Sequence, residues 1–242
     1  MYHPFSIVET LKSSWHILKT NFVVIVVFSV ISFILLAVIL TVIEIFFTPD
    51  EFTQEMILFL IEAVLQAYTT LGLYKLIFTV IDSEFYEFEF KQVLPSFRML
   101  YSYLVAVFFL AFIVVTVGFG IDRLEGYPNL QDTVKTILLF PAFYLMLRLL
   151  FFNTFIVDDR SGPMESLVQS FKLTKGYVLK IMAISAIIFM LILVPAYLSR
   201  YFPPLSLIII VTYPFVNIIL VVTYRKLIYS HQDVEDDVSE TI

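Results

Sequence analysis

The sequence contains no cysteine and little charge. Of its 242 residues none is Cys, six are Gly, three are His, and only 15% are Asp, Glu, Lys or Arg. The lack of cysteine excludes disulfide frameworks, thiolate nucleophiles and cysteine-ligated metals. A soluble domain carries about a quarter charged residues, so the shortage of charge also argues against an ordinary water-soluble fold.

Templates of catalytic sites are missing as well. His3, His16 and His231 lie outside the apolar stretches, and the chain has no HExxH, GxSxG or Walker sequence. We therefore expect a non-enzymatic protein with no catalytic residue, no bound metal and no cofactor. Asp158 and Asp159 leave two interpretations open, a cation site at the membrane surface or a solvated flank of a helix. The formal charge of -6 gives no indication of nucleic-acid binding.

What the chain has in abundance is apolar sequence. Hydrophobic residues make up 60% of it, and the mean hydropathy is +0.93. Stretches of about 20 apolar residues are long enough to cross the hydrocarbon of a bilayer as helices. The pattern predicts an all-α integral membrane protein with six spans, at residues 22–47, 56–75, 100–120, 134–157, 178–198 and 204–224. The fourth contains Pro141 and Arg148, and we expect it to be kinked or tilted.

The distribution of Lys and Arg predicts the orientation, because cytoplasmic loops collect these residues. With the N-terminus inside, the cytoplasmic flanks hold Lys12, Lys19, Lys75, Lys91, Arg98, Arg148, Arg160, Lys172, Lys175, Lys180, Arg225 and Lys226, and the outer side holds Arg123, Lys135 and Arg200. Both termini are therefore predicted to be cytoplasmic, in a cytoplasmic (inner) membrane. Residues 1–229 form the single transmembrane domain, and the acidic tail 230–242 is predicted to be disordered.

Two amphipathic segments precede the first and fifth spans. FSIVETLKSSWHILKT places Val8, Leu11, Trp15 and Leu18 at helical spacing, and GPMESLVQSFKLTKG does the same with Met164, Leu167, Val168 and Phe171. Ser6 and Glu9 have the spacing of a capping box. We interpret both segments as interfacial helices whose basic faces contact anionic headgroups or a membrane-protein partner.

The two segments also resemble each other. At a constant separation of 156 residues, matches join Glu9, Leu11, Ser14, Trp15 and Lys19 to Glu165, Leu167, Ser170, Phe171 and Lys175. A weaker middle copy, FKQVLPSFRML, contains Pro95, which would disturb a helix. The pattern predicts three parallel repeats, at 5–82, 88–158 and 162–229, each with one interfacial helix and two spans.

One stretch resembles a known signature. In RLLFFNTFIVDDRSGPMESLVQSFKLTKGYVLKI, a basic residue near the end of a span precedes an acidic turn and a pattern like "aL..S..lTKG"; the matching residues are Arg148, Asp158, Leu167, Ser170, Leu173, Thr174, Lys175 and Gly176. This resembles a loose group of uncharacterised bacterial membrane proteins, related to the membrane domain attached to some glycerophosphodiester phosphodiesterases. The resemblance implies a bacterial multi-pass helical protein and little about activity. Hydrolysis cannot be carried over from the group, because the phosphodiesterase is a separate soluble domain.

Four polar residues within the spans are candidates for an intramembrane site: Glu62, Gln66, Arg148 and Asn217. Glu62 and Gln66 either bind a ligand or proton, or hydrogen-bond neighbouring helices as packing contacts. Arg148 either reaches Glu62 through a kink at Pro141 or extends to the inner headgroups. Asn217, just after a proline, marks either a broken transport helix or an inert span.

Three functional hypotheses follow. The first is a non-enzymatic protein that organises, senses or assists something in the cytoplasmic membrane. The second is a small-solute or ion transporter or channel that uses the four polar residues around a cavity. The third, a lipid-modifying enzyme, requires catalytic residues that the sequence does not supply.

Overall fold

The computed structural model describes residues 5–46, 52–82 and 93–239 of the chain, and it is an all-α membrane protein, as expected. The helices of the described residues are α1 Ile7–Thr20, α2 Phe22–Phe46, α3 Phe52–Asp82, α4 Phe97–Asp122, α5 Pro128–Arg148, α6 Phe152–Asp158, α7 Pro163–Leu173, α8 Val178–Leu198 and α9 Ile209–Ser239. A 3-10 helix, Pro203–Ile208, precedes α9.

The predicted membrane spans are confirmed. Within the described ranges, six helical stretches are long and apolar enough to cross a membrane. The fourth is interrupted, although not at Pro141, across which α5 continues. The break lies at residues 149–151, between the end of α5 and the start of α6.

Prolines mark where several of these helices begin. Pro128 and Pro163 occupy the first turns of α5 and α7, where a missing backbone N–H costs nothing. Pro95 precedes Ser96, whose hydroxyl accepts a hydrogen bond from the Met99 amide and caps α4. Most of the predicted middle interfacial helix, which begins near Phe88, lies outside the described residues.

Ion pairs connect several helices at one end of the bundle. Arg225 on α9 contacts Asp82 at the end of α3 at 2.7 Å and Asp158 at the end of α6 at 3.2 Å. Lys226 lies 3.8 Å from Glu9 on α1. We call this the basic end: it contains α1, α7, the C-terminal ends of α3 and α6, and α9 around Arg225. The opposite end is called the far end.

The two halves of the bundle pack differently. In the half next to the basic end, α3 packs against α2, α4, α6 and α9, and α9 also packs against α1, α2 and α8. The largest fully buried side chains of the described residues are all in this half, among them Leu18, Ile25, Leu76, Phe151 and Tyr224. Towards the far end the same helices expose their apolar side chains almost all round, including Ile45, Phe59, Phe112, Leu139 and Phe189.

The amphipathic helices α1 and α7 pack through hydroxyl faces. Thr10 and Ser14 of α1 are fully buried, as are Ser166 and Ser170 of α7. Small polar residues allow helix backbones to approach closely in a membrane. Several residues of the predicted apolar stripes point outwards instead, on α1 Val8 and Trp15 and on α7 Met164, Val168 and Phe171. Both helices therefore present apolar and aromatic side chains to their surroundings.

The predicted capping box at the start of α1 does not form. Ser6 precedes α1 but its side chain makes no capping bond; instead, the Thr10 hydroxyl donates to the Ser6 carbonyl. The same carbonyl also accepts the helical hydrogen bond from the Thr10 amide at 3.0 Å. α9 continues through the first ten residues of the predicted tail, as far as Ser239.

Candidate functional site

The four candidate polar residues do not form one site. Glu62 and Gln66 are exposed on the far half of α3, whereas Arg148 and Asn217 are buried in the basic half. No hydrogen bond or ion pair joins any two of these four described residues. In particular, Glu62 and Arg148 form no ion pair, because the exposed surface of α3 and the buried end of α5 are separated in the fold.

Asn217 is satisfied within its own helix. Its side-chain amide donates to the Tyr213 carbonyl at 2.8 Å, one turn earlier and next to Pro214. Nearby, α2, α3 and α9 enclose a cavity of only about 20 Å³, lined by Phe28, Ser29, Ser32, Phe33, Leu36, Thr69, Leu73 and Tyr213. A cavity of this size has room for about one water molecule. It does not reach a solute-sized volume.

The break in the fourth span is bridged by the hydroxyl groups of Ser170 in α7 and of Thr174, the residue that follows α7. The Ser170 and Thr174 hydroxyls donate to the Arg148 carbonyl, at 2.9 and 3.3 Å, and the Phe151 amide donates to the Ser170 oxygen at 3.1 Å. These contacts satisfy backbone groups that the end of α5 leaves without helical partners. The chain then turns at Gly176, whose φ of +84° favours glycine.

These contacts give structural roles to most of the family-like motif. Ser170 and Thr174 stabilise the break, Gly176 permits the turn, and Lys175 is exposed beside it. Asp158 accepts hydrogen bonds from the Tyr224 hydroxyl at 3.0 Å and from Arg225 at 3.2 Å. The motif thus holds α5, α6, α7 and α9 together at the basic end.

The acidic pair is not a free cation site. Asp158 is committed to Tyr224 and Arg225, and it borders an open cleft of about 380 Å³ that also contains Lys75 and Asp82. Asp159 is more exposed; burial and the neighbouring Asp158 carboxylate raise the pKa of its carboxyl. Within the described ranges, no group of three His, Asp or Glu side chains could hold a metal ion.

Arg148 occupies an unusual environment at the end of α5. The residue is only 5% exposed, and its guanidinium carbon lies 3.9 Å from the centre of the Phe171 ring and 5.8 Å from that of Tyr144. Its buried Nε has no hydrogen-bond partner. No described carboxylate pairs with this guanidinium.

A sequence signal for this region is the tetrapeptide at the end of each second span. The tetrapeptides KLIF, RLLF and KLIY occur at residues 75–78, 148–151 and 226–229, so a basic residue precedes two apolar residues and an aromatic one each time. Lys75 donates to the Leu94 carbonyl at 2.7 Å, Arg148 contacts α7, and Lys226 pairs with Glu9 of α1. Each basic residue therefore meets an amphipathic segment of another proposed repeat.

The outer face of α1 carries a second polar feature. An open groove of about 510 Å³ is lined by Lys12, Trp15, His16, Lys19 and Thr20. The edge of the Trp15 ring also packs on Phe215 of α9, with ring centres 5.6 Å apart. A basic and aromatic surface of this kind, beside a membrane-spanning core, is typical of contact with lipid headgroups.

Comparison with other proteins gives no relative. No known protein family, no curated protein and no solved structure matches the chain. The likeness of residues 148–181 to a group of bacterial membrane proteins therefore stays a prediction.

Proposed function

We propose that this multi-pass membrane protein is a non-enzymatic accessory protein of the cytoplasmic membrane, which organises or senses anionic lipid headgroups at its basic end. The observation that carries the proposal is the groove of Lys12, Trp15, His16 and Lys19 on α1, exposed beside the packed half of the bundle. The excess of Lys and Arg at this end favours a cytoplasmic orientation. The inner leaflet is where anionic lipids attract such residues.

The groove has the chemistry to select anionic headgroups. Lys12 and Lys19 are exposed, and each basic residue near an anionic surface contributes about 1 kcal/mol of attraction. Trp15 provides an amphipathic ring of the kind that sits at the level of the headgroups. The exposed Val8 extends the apolar part of the same helix.

Lipid at α1 would act directly on the core. Thr10 and Ser14 bury the opposite face of α1, which packs against α9, and Glu9 pairs with Lys226. Displacement of α1 would therefore break contacts with the helix that also holds Asp82 and Asp158 through Arg225. This connection suits a sensing or organising role, with a membrane-protein partner as the recipient of the change.

Transport is the weaker candidate. It requires Glu62, Gln66, Arg148 and Asn217 to surround a shared aqueous cavity. Two of them are exposed on the far half, and the other two are buried in separate contacts. No observation on the described residues favours a solute pathway.

Trp15 supplies a direct test because it is the only tryptophan of the chain. The protein is reconstituted in bilayers that mix phosphatidylglycerol and phosphatidylcholine, with bromine on the acyl chains of one lipid at a time. We expect brominated phosphatidylglycerol to quench Trp15 more strongly at equal mole fraction, and high salt to reduce the difference.

The matched control is the double variant Lys12→Gln, Lys19→Gln, which keeps Trp15 and the buried face of α1. It should lose the preference for the anionic lipid while the total quenching stays similar. Equal quenching by both lipids in the wild-type protein would contradict the proposed function.

A further inference from the structure

Arg148 is the buried cation whose partner the described residues do not supply. The residue is only 5% exposed. No described carboxylate or carbonyl accepts a hydrogen bond from its guanidinium. The Phe171 ring covers one face of the group. That contact leaves the N–H donors, which lie in the guanidinium plane, without a described acceptor, and the Nε donor is also buried.

The equivalent residues of the other tetrapeptides are satisfied. Lys75 donates to the Leu94 carbonyl, and Lys226 pairs with the Glu9 carboxylate. The counterpart of Glu9 in the third repeat is Glu165, but its carboxylate bonds to the Gly162 amide and the Gln169 side chain. Of the three equivalent basic residues, Lys75 and Lys226 thus have a described acceptor for their side chain, and Arg148 has none.

The surroundings of Arg148 indicate what kind of molecule supplies that acceptor. Phe171 and Tyr144, which flank the guanidinium, are themselves 39% and 46% exposed on the outer surface of the bundle. Met164 and Val168 continue this exposed apolar surface along α7. The missing ligand therefore has an anionic group next to an apolar body.

We propose that Arg148 binds the phosphate of an anionic phospholipid, at the junction of α5 and α7. This deepens the proposed function, on which it rests for placing the basic end among headgroups. The planar guanidinium matches two phosphate oxygens at once, which a lysine ammonium cannot do. Ser170 and Thr174 do not contribute, because their hydroxyls already donate to backbone carbonyls, including that of Arg148.

The test is native mass spectrometry of the purified, delipidated protein titrated with dioleoylphosphatidylglycerol. We expect one phospholipid per chain to be retained most strongly, with at least tenfold weaker retention of dioleoylphosphatidylcholine. Inorganic phosphate should compete only at far higher concentration, because it lacks the acyl chains that contact the apolar surface. Competition by phosphate at equal concentration would instead indicate a free-anion site and overturn the lipid assignment.

Variants distinguish this site from the groove on α1. Arg148→Gln should lose the retained lipid. Arg148→Lys should retain it at least tenfold more weakly, because a lysine ammonium cannot match two phosphate oxygens at once as the guanidinium does. Lys226→Gln is the matched control at the equivalent position and should keep the lipid. If Arg148→Gln does not fold, a photoactivatable phosphatidylglycerol on the wild-type protein should label peptides that contain residues 144–148 or 168–175.

The outcomes separate the two proposals. A retained lipid without any lipid preference in Trp15 quenching would leave the Arg148 site intact and remove the proposed function of α1. A wild-type protein that retains no phospholipid would overturn the Arg148 site.

Discussion

The half of the bundle at the basic end and the half at the far end use similar apolar residues in different ways. In the basic half, Leu76 and Tyr224 are fully buried, and hydroxyl groups and ion pairs join helices that are distant in sequence. In the far half, Leu139 and Phe112 are about two-thirds exposed, and the hydrogen bonds of Thr116 and Thr133 stay within their own helices. Hydrophobicity is thus common to both halves, whereas the ion pairs and the close packing of the described residues belong to one.

The comparison shows what orders a membrane bundle. Lipid chains are as apolar as Leu or Phe, so burying such side chains against protein gives no hydrophobic gain over leaving them in lipid. Packing and interhelical hydrogen bonds decide which helices associate. The hydroxyl face of α7 supplies both, because Ser170 packs closely and donates to the Arg148 carbonyl at the end of α5. The hydroxyl face of α1 supplies close packing alone, because Ser14 donates to the Thr10 carbonyl of its own helix.

The largest expected contrast between the halves comes from removing a leucine. Leu76→Ala in α3 creates a cavity in the closely packed half and should lower the free energy of unfolding by about 2–4 kcal/mol. Leu139→Ala, on the exposed surface of α5, should change it by less than about 0.5 kcal/mol. Denaturant unfolding in detergent micelles measures both; equal effects would show that the halves are equally packed.

Glycine substitution tests close approach at the basic half. A Cβ on Gly72 would lie 3.3 Å from the ring of Phe28 and near the Val93–Pro95 segment, whereas one on Gly118 meets nothing within 4 Å. Gly72→Val should therefore cost about 1–3 kcal/mol through overpacking. Gly118→Val should be nearly neutral in the same unfolding assay. A tolerated Gly72→Val variant would contradict the packing of α2 on α3.

The ion-pair cluster should depend on one acid more than on the other. Asp158 is 22% exposed and accepts from both Tyr224 and Arg225, whereas Asp82 is 53% exposed and accepts from Arg225 alone. Asp158→Asn should cost about 1–2 kcal/mol, because it weakens two partly buried hydrogen bonds. Asp82→Asn should cost less than about 1 kcal/mol, since its carboxylate is largely solvated. Thermal unfolding should rank the two variants in this order.

The smallest expected effect concerns Asp159. Burial and the Asp158 carboxylate raise the pKa of Asp159 in the folded protein, so the native state binds this proton more tightly than the unfolded chain. Its ionised form therefore opposes folding near neutral pH, and this opposition fades as the pH falls through the raised pKa. Asp159→Asn should raise stability slightly at pH 7, by no more than a few tenths of a kcal/mol because the group is mostly solvated.

The pH dependence of this variant provides its own control. The gain should diminish towards about pH 4, where the wild-type carboxyl becomes protonated. Asp158→Asn should shift stability in the opposite direction at pH 7. A destabilised Asp159→Asn protein would mean that Asp159 has a favourable partner instead of an unfavourable environment.

Sequence reasoning found the helices but not their junctions. The six spans and the two amphipathic helices follow from apolar length and periodicity. The break at residues 149–151 could not be found in this way, because RLLFFN contains neither Gly nor Pro and the break is satisfied by Ser170, far along the chain. The sequence instead suggested a kink at Pro141 in the same span, where α5 continues as a helix.

For the candidate site, too, the sequence identified the residues but not how they are arranged. Glu62, Gln66, Arg148 and Asn217 were recognised as polar residues in apolar sequence, but their spacing could not show that two would be exposed and two buried apart. Whether polar residues of different spans meet depends on how far the helices diverge. The repeated tetrapeptides were a usable signal, because each pairs one basic residue with an amphipathic segment.

The sequence by itself determined that this chain is helical and crosses a membrane, since only long apolar helices satisfy their backbone groups within lipid. Apolar length and period are local properties, and they suffice for that conclusion. The tertiary structure decided where α5 ends, which faces of α1 and α7 turn inwards, and why Arg148 lacks a described partner while Lys75 and Lys226 have one. Those features depend on hydrogen bonds and packing between residues tens of positions apart, which no local pattern specifies.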